Sequence, residues 1–473
     1  MRETLERERK LDVDGDFSLP ELPGSPLGSR VFTSTYHDTP ARSLSRAGIT
    51  LRRRLENGKS LWQLKLPRSD DGTARAELEA AGGPTGPPVA LKQLLTAHLR
   101  HGKLEPVATL RTHRSGVLVE DGERKVAEVT VDTVEILDAG RSSGGFTELE
   151  IELVGDGGDR DLDRIEKLLR KAGAQRGAGT PKLFRVIGIA EDAAPAADAS
   201  LAVHVRHYLD RQLAELEAND PGVRVGTAAE DVHRFRVATR RTRALIRATR
   251  PLLGDQLRGL EEELSWLAHT LGPVRDLDVL IDHLCDEVSR LDVDEAAGQA
   301  LVSALRAERE AYRTALVEAL DSKRYLQLLS SFAAGIALVE TLDLEHDAGE
   351  IARRAVRKVQ KDAAAMAETP SDEELHALRK KAKRARYAVE LAGLGGGKAQ
   401  ERTVDAFKHV QDVIGEHQDA VVAESKLREL KGARTGLAAG RLIERERERK
   451  RRMREQYPAA VAAALRIGDK AFS

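Results

Sequence analysis

The sequence predicts an α+β protein of two domains, a β-strand domain followed by an all-α domain. Short alternating polar and apolar segments, broken by Gly, Pro, Asp and Asn, fill the first part, whereas long runs rich in Ala, Leu, Arg and Glu fill the second. Ten of the 16 prolines fall within the first 190 residues and five follow residue 200. A small-residue segment, residues 191–200, is the predicted linker. We therefore expect domains over residues 1–190 and 201–473.

The composition limits the class of protein. Of 473 residues, 32% are charged and 41% hydrophobic, too apolar for a disordered chain and too charged for a membrane protein. No apolar run approaches the ~18 residues of a spanning helix, and no signal peptide is expected. Cys285 is the only cysteine, so we expect no internal disulfide and a cytoplasmic protein. With 76 basic and 77 acidic residues, a polyanion site requires a local concentration of cations.

The predicted N-terminal strands carry charge on one face. Successive side chains of a strand point to opposite faces, so residues two apart share a face. The charged or polar residues in phase are Glu6, Glu8 and Lys10; Arg52 and Arg54; Arg75, Glu77 and Glu79; Glu128, Thr130 and Asp132; and Glu148, Glu150 and Glu152. Apolar residues occupy the other phase in most of these segments.

Two interpretations of these charged faces remain open. Each strand could present its charged face to solvent, as in many antiparallel sheets. However, like charges adjacent in a sheet are unfavourable and need a partner. Clustered carboxylates suit Mg²⁺ or Mn²⁺, and clustered Arg and Lys suit a polyphosphate. If the faces line a closed barrel, both groups meet around one ligand, which favours metal-assisted phosphoryl chemistry.

Several motifs in this part resemble those of the CYTH family, the triphosphate tunnel metalloenzymes. They are Glu6-x-Glu8-x-Lys10, Tyr36-His-Asp-Thr-Pro40, Arg46-Ala-Gly-Ile-Thr-Leu-Arg-Arg-Arg54, Trp62-Gln-Leu-Lys-Leu-Pro67, Glu148-Leu-Glu-Ile-Glu152 and Lys182. The resemblance covers about residues 1–190, with the motifs in the order of the family. It implies an eight-stranded antiparallel β tunnel that hydrolyses triphosphate-containing substrates with Mg²⁺ or Mn²⁺ as cofactor.

The resemblance also implies roles for individual residues. The metal ligands would be Glu6, Glu8, Asp132, Glu148, Glu150 and Glu152. The phosphate contacts would be Lys10, Arg52, Arg54, Lys65, Arg75, Arg111, Arg114 and Lys182. Arg111 and Arg114 are alternatives, because they lie in opposite phases of one segment. Glu6, Glu8 and Lys10 would be catalytic, with water as the nucleophile and Lys10 assisting the leaving phosphate.

A duplication marks the C-terminal part. Two short patterns recur at the same offset of 143 residues, which indicates a repeated helical unit. The matched pairs are His233 and His376, Gly272 and Gly415, and Asp276 and Asp419. We expect copies over about residues 201–340 and 341–473.

Each copy carries a basic stripe along one face of a predicted helix. The stripes and their flanking cations are His233, Arg236, Arg240, Arg241, Arg243 and Arg247, and His376, Arg379, Lys380, Lys383, Arg384 and Arg386. Like charges four residues apart cost about 0.2–0.5 kcal/mol per pair. A solvated face is the ordinary interpretation of a charge run, and it suits residues 444–455, where acids and bases alternate. The two stripes lack acids, which favours an anionic ligand.

The stripes resemble the CHAD domain, a helical domain that binds inorganic polyphosphate. The resemblance spans about residues 200–470 and implies two pseudo-symmetric helical bundles whose stripes face a central basic cleft. The second copy departs from the first at Lys383, aligned with Arg240, and at Glu390, aligned with Arg247. Nucleic acid is the competing ligand, but single-strand binders stack bases on aromatic side chains, which make up 3% of this chain.

The sequence supports one leading function and two alternatives. The leading hypothesis is a metal-dependent triphosphatase acting on inorganic triphosphate, with inorganic polyphosphate bound by the helical domain. One alternative is a polyphosphate-binding or granule-associated protein with an inactive tunnel. The other is a tunnel enzyme of the thiamine-triphosphatase or adenylate-cyclase type. The oligomeric state does not follow from the sequence.

Overall fold

The N-terminal strands close into a barrel in the computed structural model. The structure describes residues 2–14, 17–68, 74–100, 102–177, 179–188, 193–196, 198–291, 294–342, 348–393, 396–430, 432 and 434–472. Residues 191, 192 and 197 of the predicted linker lie outside that set. The chain divides into two units, Met1–Asp192 with Asp220–Val225, and Ala193–Asn219 with Gly226–Ser473.

Within the described ranges, the β unit contains eight long strands and one short strand. They are β1 (Arg2–Asp12), β2 (Gly24–Asp38), β3 (Thr50–Glu56), β4 (Lys59–Pro67), β5 (Ala74–Ala81), β6 (Glu105–Asp121), β7 (Arg124–Asp138), β8 (Arg141–Leu153) and β9 (Gln175–Arg176). The order β5-β4-β3-β2-β6-β7-β8-β1 closes through β1–β5 pairing, and every pair is antiparallel. The predicted eight-stranded barrel is confirmed.

The apolar face of this barrel is its outer face. Short helices cover it: α1 (Ser43–Arg46), α2 (Val89–Leu94), α3 (Thr96–Leu99) and α4 (Asp159–Lys171). Helix α5 (Lys182–Ile187) instead packs through Leu183 and Phe184 against Tyr36, which lines the interior. Leu149 and Ile151 of β8 pack in one apolar cluster with Leu162 and Ile165 of α4. Burying such side chains contributes about 1.5–3 kcal/mol each. Because the apolar phase is buried outside, the charged phase lines the inside.

The helical unit is built from nine long helices among the described residues. They are α6 (Leu201–Val225), α7 (Ala229–Leu253), α8 (Arg258–Val288), α9 (Glu295–Leu320), α10 (Lys323–Glu340), α11 (Ala348–Ala364), α12 (Asp372–Ala392), α13 (Lys398–Leu430) and α14 (Gly436–Phe472). No helix among these residues is long and apolar enough to cross a membrane.

The predicted duplication is visible in the helix positions. Helix α7 begins at Ala229 and α12 begins 143 residues later, at Asp372. The following helices, α8 and α13, pack on α7 and α12 respectively. Helices α7 and α12 also pack on each other, which brings the two basic stripes to one interface. The predicted two-bundle helical domain is confirmed.

The alternating charge run at residues 444–455 is more than a solvated face. Glu446 is buried and accepts a 2.5 Å hydrogen bond from His283 Nε2 of α8. Arg445 donates to the backbone and side chain of Glu287. The expectation of a solvated face is therefore wrong for these residues, because α14 packs along α13 and turns part of the run inward.

Candidate functional site

Strand β1, which carries the Glu6-x-Glu8-x-Lys10 motif, is held from outside the barrel. Its alternate residues Arg7 and Arg9 bind α4 through Asp159 and Glu166, with 2.6 Å between Arg9 Nη1 and Glu166 Oε2. These ion pairs anchor the outward phase of the strand. The residues of the other phase line the interior of the barrel: Glu6, Glu8 and Lys10.

A row of carboxylates crosses three neighbouring strands. Glu8 of β1 lies opposite Glu152 of β8, and Glu152 lies opposite Glu128 of β7. Burial, followed by the nearby charge of Glu6, raises the pKa of Glu152 to about 7 although Lys65 opposes the shift. Adjacent like charges are unfavourable in a sheet, and a divalent cation offsets their repulsion with oxygen ligands it prefers. The chemistry of this donor set therefore fits a divalent metal.

The two inward carboxylates of β1 are paired with lysines in this structure. No group of three His, Cys, Asp or Glu side chains within the described part of the chain is gathered in metal-coordinating geometry. Lys65 Nζ lies 2.6 Å from Glu6 Oε2, and Lys10 Nζ lies 3.4 Å from Glu8 Oε2. These lysines are predicted phosphate ligands. A bound metal–triphosphate complex would replace both partners at once: the metal would contact the carboxylates, and the phosphates would contact the lysines.

The raised pKa of Glu152 predicts how metal-free stability depends on pH. The folded protein binds this proton more tightly than the unfolded chain, so the contribution of Glu152 to stability is lost as pH rises from 4.5 to about 7. Over that range, the metal-free wild type should lose melting temperature relative to Glu152→Gln. Manganese should restore the wild type at pH 7.5. If the melting temperatures of the wild type and Glu152→Gln differ by the same amount at every pH, the pKa of Glu152 is not raised and the prediction is wrong.

Three other carboxylates surround a lysine at the start of α5. Lys182 Nζ lies 2.6 Å from Glu148, 2.7 Å from Glu150 and 3.0 Å from Asp132. Arg114 donates two hydrogen bonds, of 2.7 and 2.6 Å, to the carboxylate of Asp132. In this structure, the predicted metal ligands Asp132, Glu148 and Glu150 therefore bind the side chains of basic residues.

Lys10 belongs to the same group. Its ammonium contacts Glu150 and lies 3.3 Å from Glu148. Although burial opposes the shift, the charges of Lys10 and Lys182 hold the pKa of Glu150 well below its usual value. Glu150 is thus ionised and fixes the predicted catalytic lysine.

The interior face of β3, β4 and β5 is basic. Arg52 donates to Gln63 at 2.7 Å, and Arg75 donates to the carbonyl of Gly48 at 2.6 Å. Burial, followed by the charge of Arg52, lowers the pKa of Arg54 to about 10. The positive charge of the side chains on this face thus exceeds the negative charge of its carboxylates. A bound anion would be stabilised by the remaining positive charge.

The structure decides between the two arginines of β6. Arg111 lies on the outer face, nearly half exposed, with Nη1 3.5 Å from Glu135 of β7. Arg114 lines the interior and contacts Glu150. The assignment of Arg111 to the phosphate site is therefore wrong. The alternation along β6 alone did not settle the choice. Which of its two faces points into the barrel depends on how β6 pairs with β2 and β7.

The interior cavity has a volume of about 210 Å³. It is lined by every predicted phosphate ligand except Arg111, and by Glu6, Glu8, Glu150 and Glu152. Sequence reasoning missed other lining residues: Arg30, Gln63, Glu77, Glu79 and Glu128. Glu77, Glu79 and Glu128 share a phase with predicted site residues, and that signal could have found them. Arg30 carried no such signal.

In the helical unit, cations of both stripes converge. Burial, followed by the charges of Arg240, Arg379 and Arg236, lowers the pKa of Lys383 to about 7. Arg386 adds to the same effect. We define these five residues as the basic cluster. Among the described residues, no carboxylate lies within 4 Å of Lys383 Nζ or the Arg240 guanidinium.

A glycine helps to form the cluster. A Cβ at Gly415 of α13 would lie 3.1 Å from Arg379 Nη2, so the absent side chain leaves room for that guanidinium. Arg379 also donates to the carbonyl of Gln411 at 3.3 Å. The repeated glycine of the sequence thus has a packing role in the second repeat.

The remaining stripe residues lie in other surroundings. Arg247 binds Glu261 of α8 at 2.5 Å, and Arg243 donates to Ser265 at 3.0 Å. Burial lowers the pKa of His233, with the charge of Arg275 as the next cause, and burial followed by the charge of Lys380 lowers that of His376. Both histidines are half-buried, whereas four predicted ligands are exposed: Arg241, Arg247, Lys380 and Arg384.

Solved structures resemble each part of the chain. The CHAD domain from the plant Ricinus communis is 27% identical, covers 59% of this chain and 95% of its own, and has a TM-score of 0.47. PptA from Streptomyces chartreusis is 19% identical over 55% of this chain and 99% of its own, with a TM-score of 0.45. A Hippeastrum adenylyl cyclase described by its dominant triphosphatase activity is 18% identical over 38% of this chain and 94% of its own, with a TM-score of 0.26.

Sequence comparison covers the whole chain. Uncharacterized proteins of two Mycobacterium tuberculosis strains, CDC 1551 and H37Rv, are 33% identical over 99% of this chain and 97% of their own length. The family model of the CYTH domain matches residues 4–183, and that of the CHAD domain matches residues 207–428. The chain therefore belongs to the family of proteins that join an N-terminal CYTH domain to a C-terminal CHAD domain.

Proposed function

We propose that the barrel is a metal-dependent phosphoanhydride hydrolase that acts on inorganic triphosphate. CYTH tunnel proteins form a superfamily of metal-dependent phosphatases and cyclases. The observation that carries the proposal is the convergence of two opposite charge sets on one cavity of about 210 Å³. Carboxylates of β1 and β8 face the interior together with cations of β3, β4 and β5.

The carboxylates best suited to hold Mg²⁺ or Mn²⁺ are Glu6, Glu8 and Glu152. When bound, such a metal polarises a phosphoryl oxygen and activates water. Lys10 is held beside the phosphate site by Glu150 and Glu148, where it can neutralise charge on the leaving phosphate. The phosphate ligands would be Arg52, Arg54, Lys65, Arg75, Arg114 and Lys182.

The aromatic side chains of the lining favour a substrate without a base. Phe32 and Tyr36 are the aromatic residues that line the cavity in the described part of the chain. The guanidinium of Arg54 lies 3.7 Å from the Phe32 ring centroid, which covers a face of the ring. The Tyr36 hydroxyl accepts from Arg52 at 3.3 Å. A nucleobase or thiamine ring would have to displace these cations, whereas bare triphosphate would use them.

For the helical unit, we propose inorganic polyphosphate as the ligand of the basic cluster. The cluster gathers cations from both repeats, and a chain of phosphates needs charge without base stacking. Lys383 would exchange repulsion from the neighbouring arginines for contact with a phosphate. This binding is independent of whether the barrel is active.

Phosphate release from tripolyphosphate tests the proposed reaction. We expect turnover with Mg²⁺ or Mn²⁺, none with chelator, and slower release from ATP and thiamine triphosphate. The control is polyphosphate binding by the same preparation. Binding without turnover under either metal would contradict the enzymatic proposal and favour the inactive-tunnel alternative. Faster release from ATP or thiamine triphosphate would contradict the choice of substrate.

A further inference from the structure

An acidic side chain lies at the second-repeat end of the basic cluster. Glu390, on α12, has its Oε1 atom 3.2 Å from the Nε atom of Arg386. Both side chains are largely buried, with exposed fractions of 21% and 11%. The guanidinium of Arg386 also lies 4.7 Å from the Tyr387 ring centroid, so it has few directions in which to move.

The duplication shows that this acid breaks the pattern of the stripes. The position 143 residues before Glu390 is Arg247, a cation. Arg247 binds Glu261 on the adjacent helix α8, so the first repeat supplies its carboxylate from outside the stripe. The second repeat has its carboxylate on the stripe itself. Equivalent positions of the two repeats therefore carry opposite charge.

The surroundings of Glu390 are cationic on two helices. Burial raises the pKa of Glu390, and the charges of Arg386 of α12 and of Arg241 and Arg240 of α7 oppose that shift. Tyr208 of α6 faces it, and burial together with the charge of Glu390 raises the pKa of this phenol. In the absence of ligand, the carboxylate thus lowers the repulsion among these arginines.

We propose that Glu390 is an internal anion that competes with polyphosphate for Arg386 and its neighbours at this end of the basic cluster. The inference rests on the proposed binding of polyphosphate. A bound phosphate and the Glu390 carboxylate would both be anions facing one guanidinium. Binding must therefore break the Arg386–Glu390 ion pair or tolerate repulsion, and Glu390 lowers the affinity in either case.

The substitution Glu390→Gln tests this competition in the full-length chain. Polyphosphate affinity should rise, by about three- to tenfold at 0.15 M salt, while tripolyphosphate turnover stays unchanged. The matched control is Glu373→Gln, which removes an exposed acid of the same helix about 25 Å away along the axis. Its affinity should equal that of the wild type.

Two further variants isolate the contact and guard against misfolding. In an Arg386→Gln background, Glu390→Gln should give a smaller gain than in the wild type. Glu390→Asp keeps the charge but shortens the side chain by one methylene, which moves the carboxylate away from Arg386. This variant should bind polyphosphate more tightly than the wild type, with a gain smaller than that of Glu390→Gln. Unchanged or weaker binding in the folded Gln or Asp variant overturns the inference. Failure of the wild type to bind polyphosphate would instead contradict the proposed function of the cluster.

Discussion

Replacing Glu8 with glutamine should lower metal-dependent turnover of tripolyphosphate by roughly a hundredfold or more, because it removes a charged ligand of the proposed metal. The melting temperature without metal should not fall, since the substitution removes a like-charge pair with Glu152 and leaves an amide oxygen that can still accept from Lys10. Loss of activity without loss of stability separates a functional carboxylate from a structural one. Phosphate release and thermal melting of the same preparation measure both.

The matched control for this variant is Glu135→Gln. Glu135 belongs to β7 of the same barrel but pairs with Arg111 on the outer face. Its turnover should remain within about twofold of the wild type, as expected for a surface ion pair of small energy. Equal losses in the two variants would mean that turnover follows the general charge of the barrel and not the carboxylate row.

Reversing two charges of the basic cluster, Arg240→Glu with Lys383→Glu, should abolish polyphosphate binding. The two substitutions change the local charge by four units in a cluster of five cations, where the charges of the neighbouring arginines already lower the pKa of Lys383. Polyphosphate affinity of the wild type should also fall steeply with salt, as expected for binding dominated by charge. Tripolyphosphate turnover should persist, because the proposed hydrolytic site lies in the barrel.

The control for the double reversal is Arg357→Glu with Lys358→Glu. These residues are exposed on α11, so the control makes the same change of net charge outside the cluster. Its polyphosphate affinity should fall by less than about threefold, since exposed charges beyond a Debye length are largely screened. If the cluster variant loses hydrolysis and binding together while remaining folded, the model of two separate sites is wrong.

Strand phase alone predicted much of the barrel. The period of two placed Glu6, Glu8 and Lys10 on one face, and the structure places all three inside. The same rule worked for β8, where Leu149 and Ile151 alternate with the glutamates and pack under α4. Periodicity identifies which residues share a face, because the side-chain direction of a strand follows from its backbone.

Phase could not show what each inward side chain contacts. Asp132, Glu148 and Glu150 were predicted as metal ligands, and the structure pairs all three with Lys182. That lysine comes from a helix distant in the sequence. The choice between Arg111 and Arg114 stayed open for a related reason, since it depends on the pairing of β6 with its neighbours.

The helical repeat shows a similar limit. The offset of 143 residues predicted equivalent helices, and α7 and α12 begin at equivalent positions. It did not predict that Arg247 would turn toward Glu261 while its counterpart Glu390 would turn toward Arg386. Those partners lie on other helices or on the next turn, and a one-dimensional pattern does not specify them.

A crystal structure with manganese and tripolyphosphate tests the central claim most directly. The anomalous signal of manganese should lie inside the barrel next to Glu8 and Glu152, with the phosphate chain against Arg52, Arg54 and Lys65. Lys65 should then contact phosphate instead of Glu6. Manganese and phosphate bound only outside the barrel, with the Lys65–Glu6 pair intact, would contradict the account.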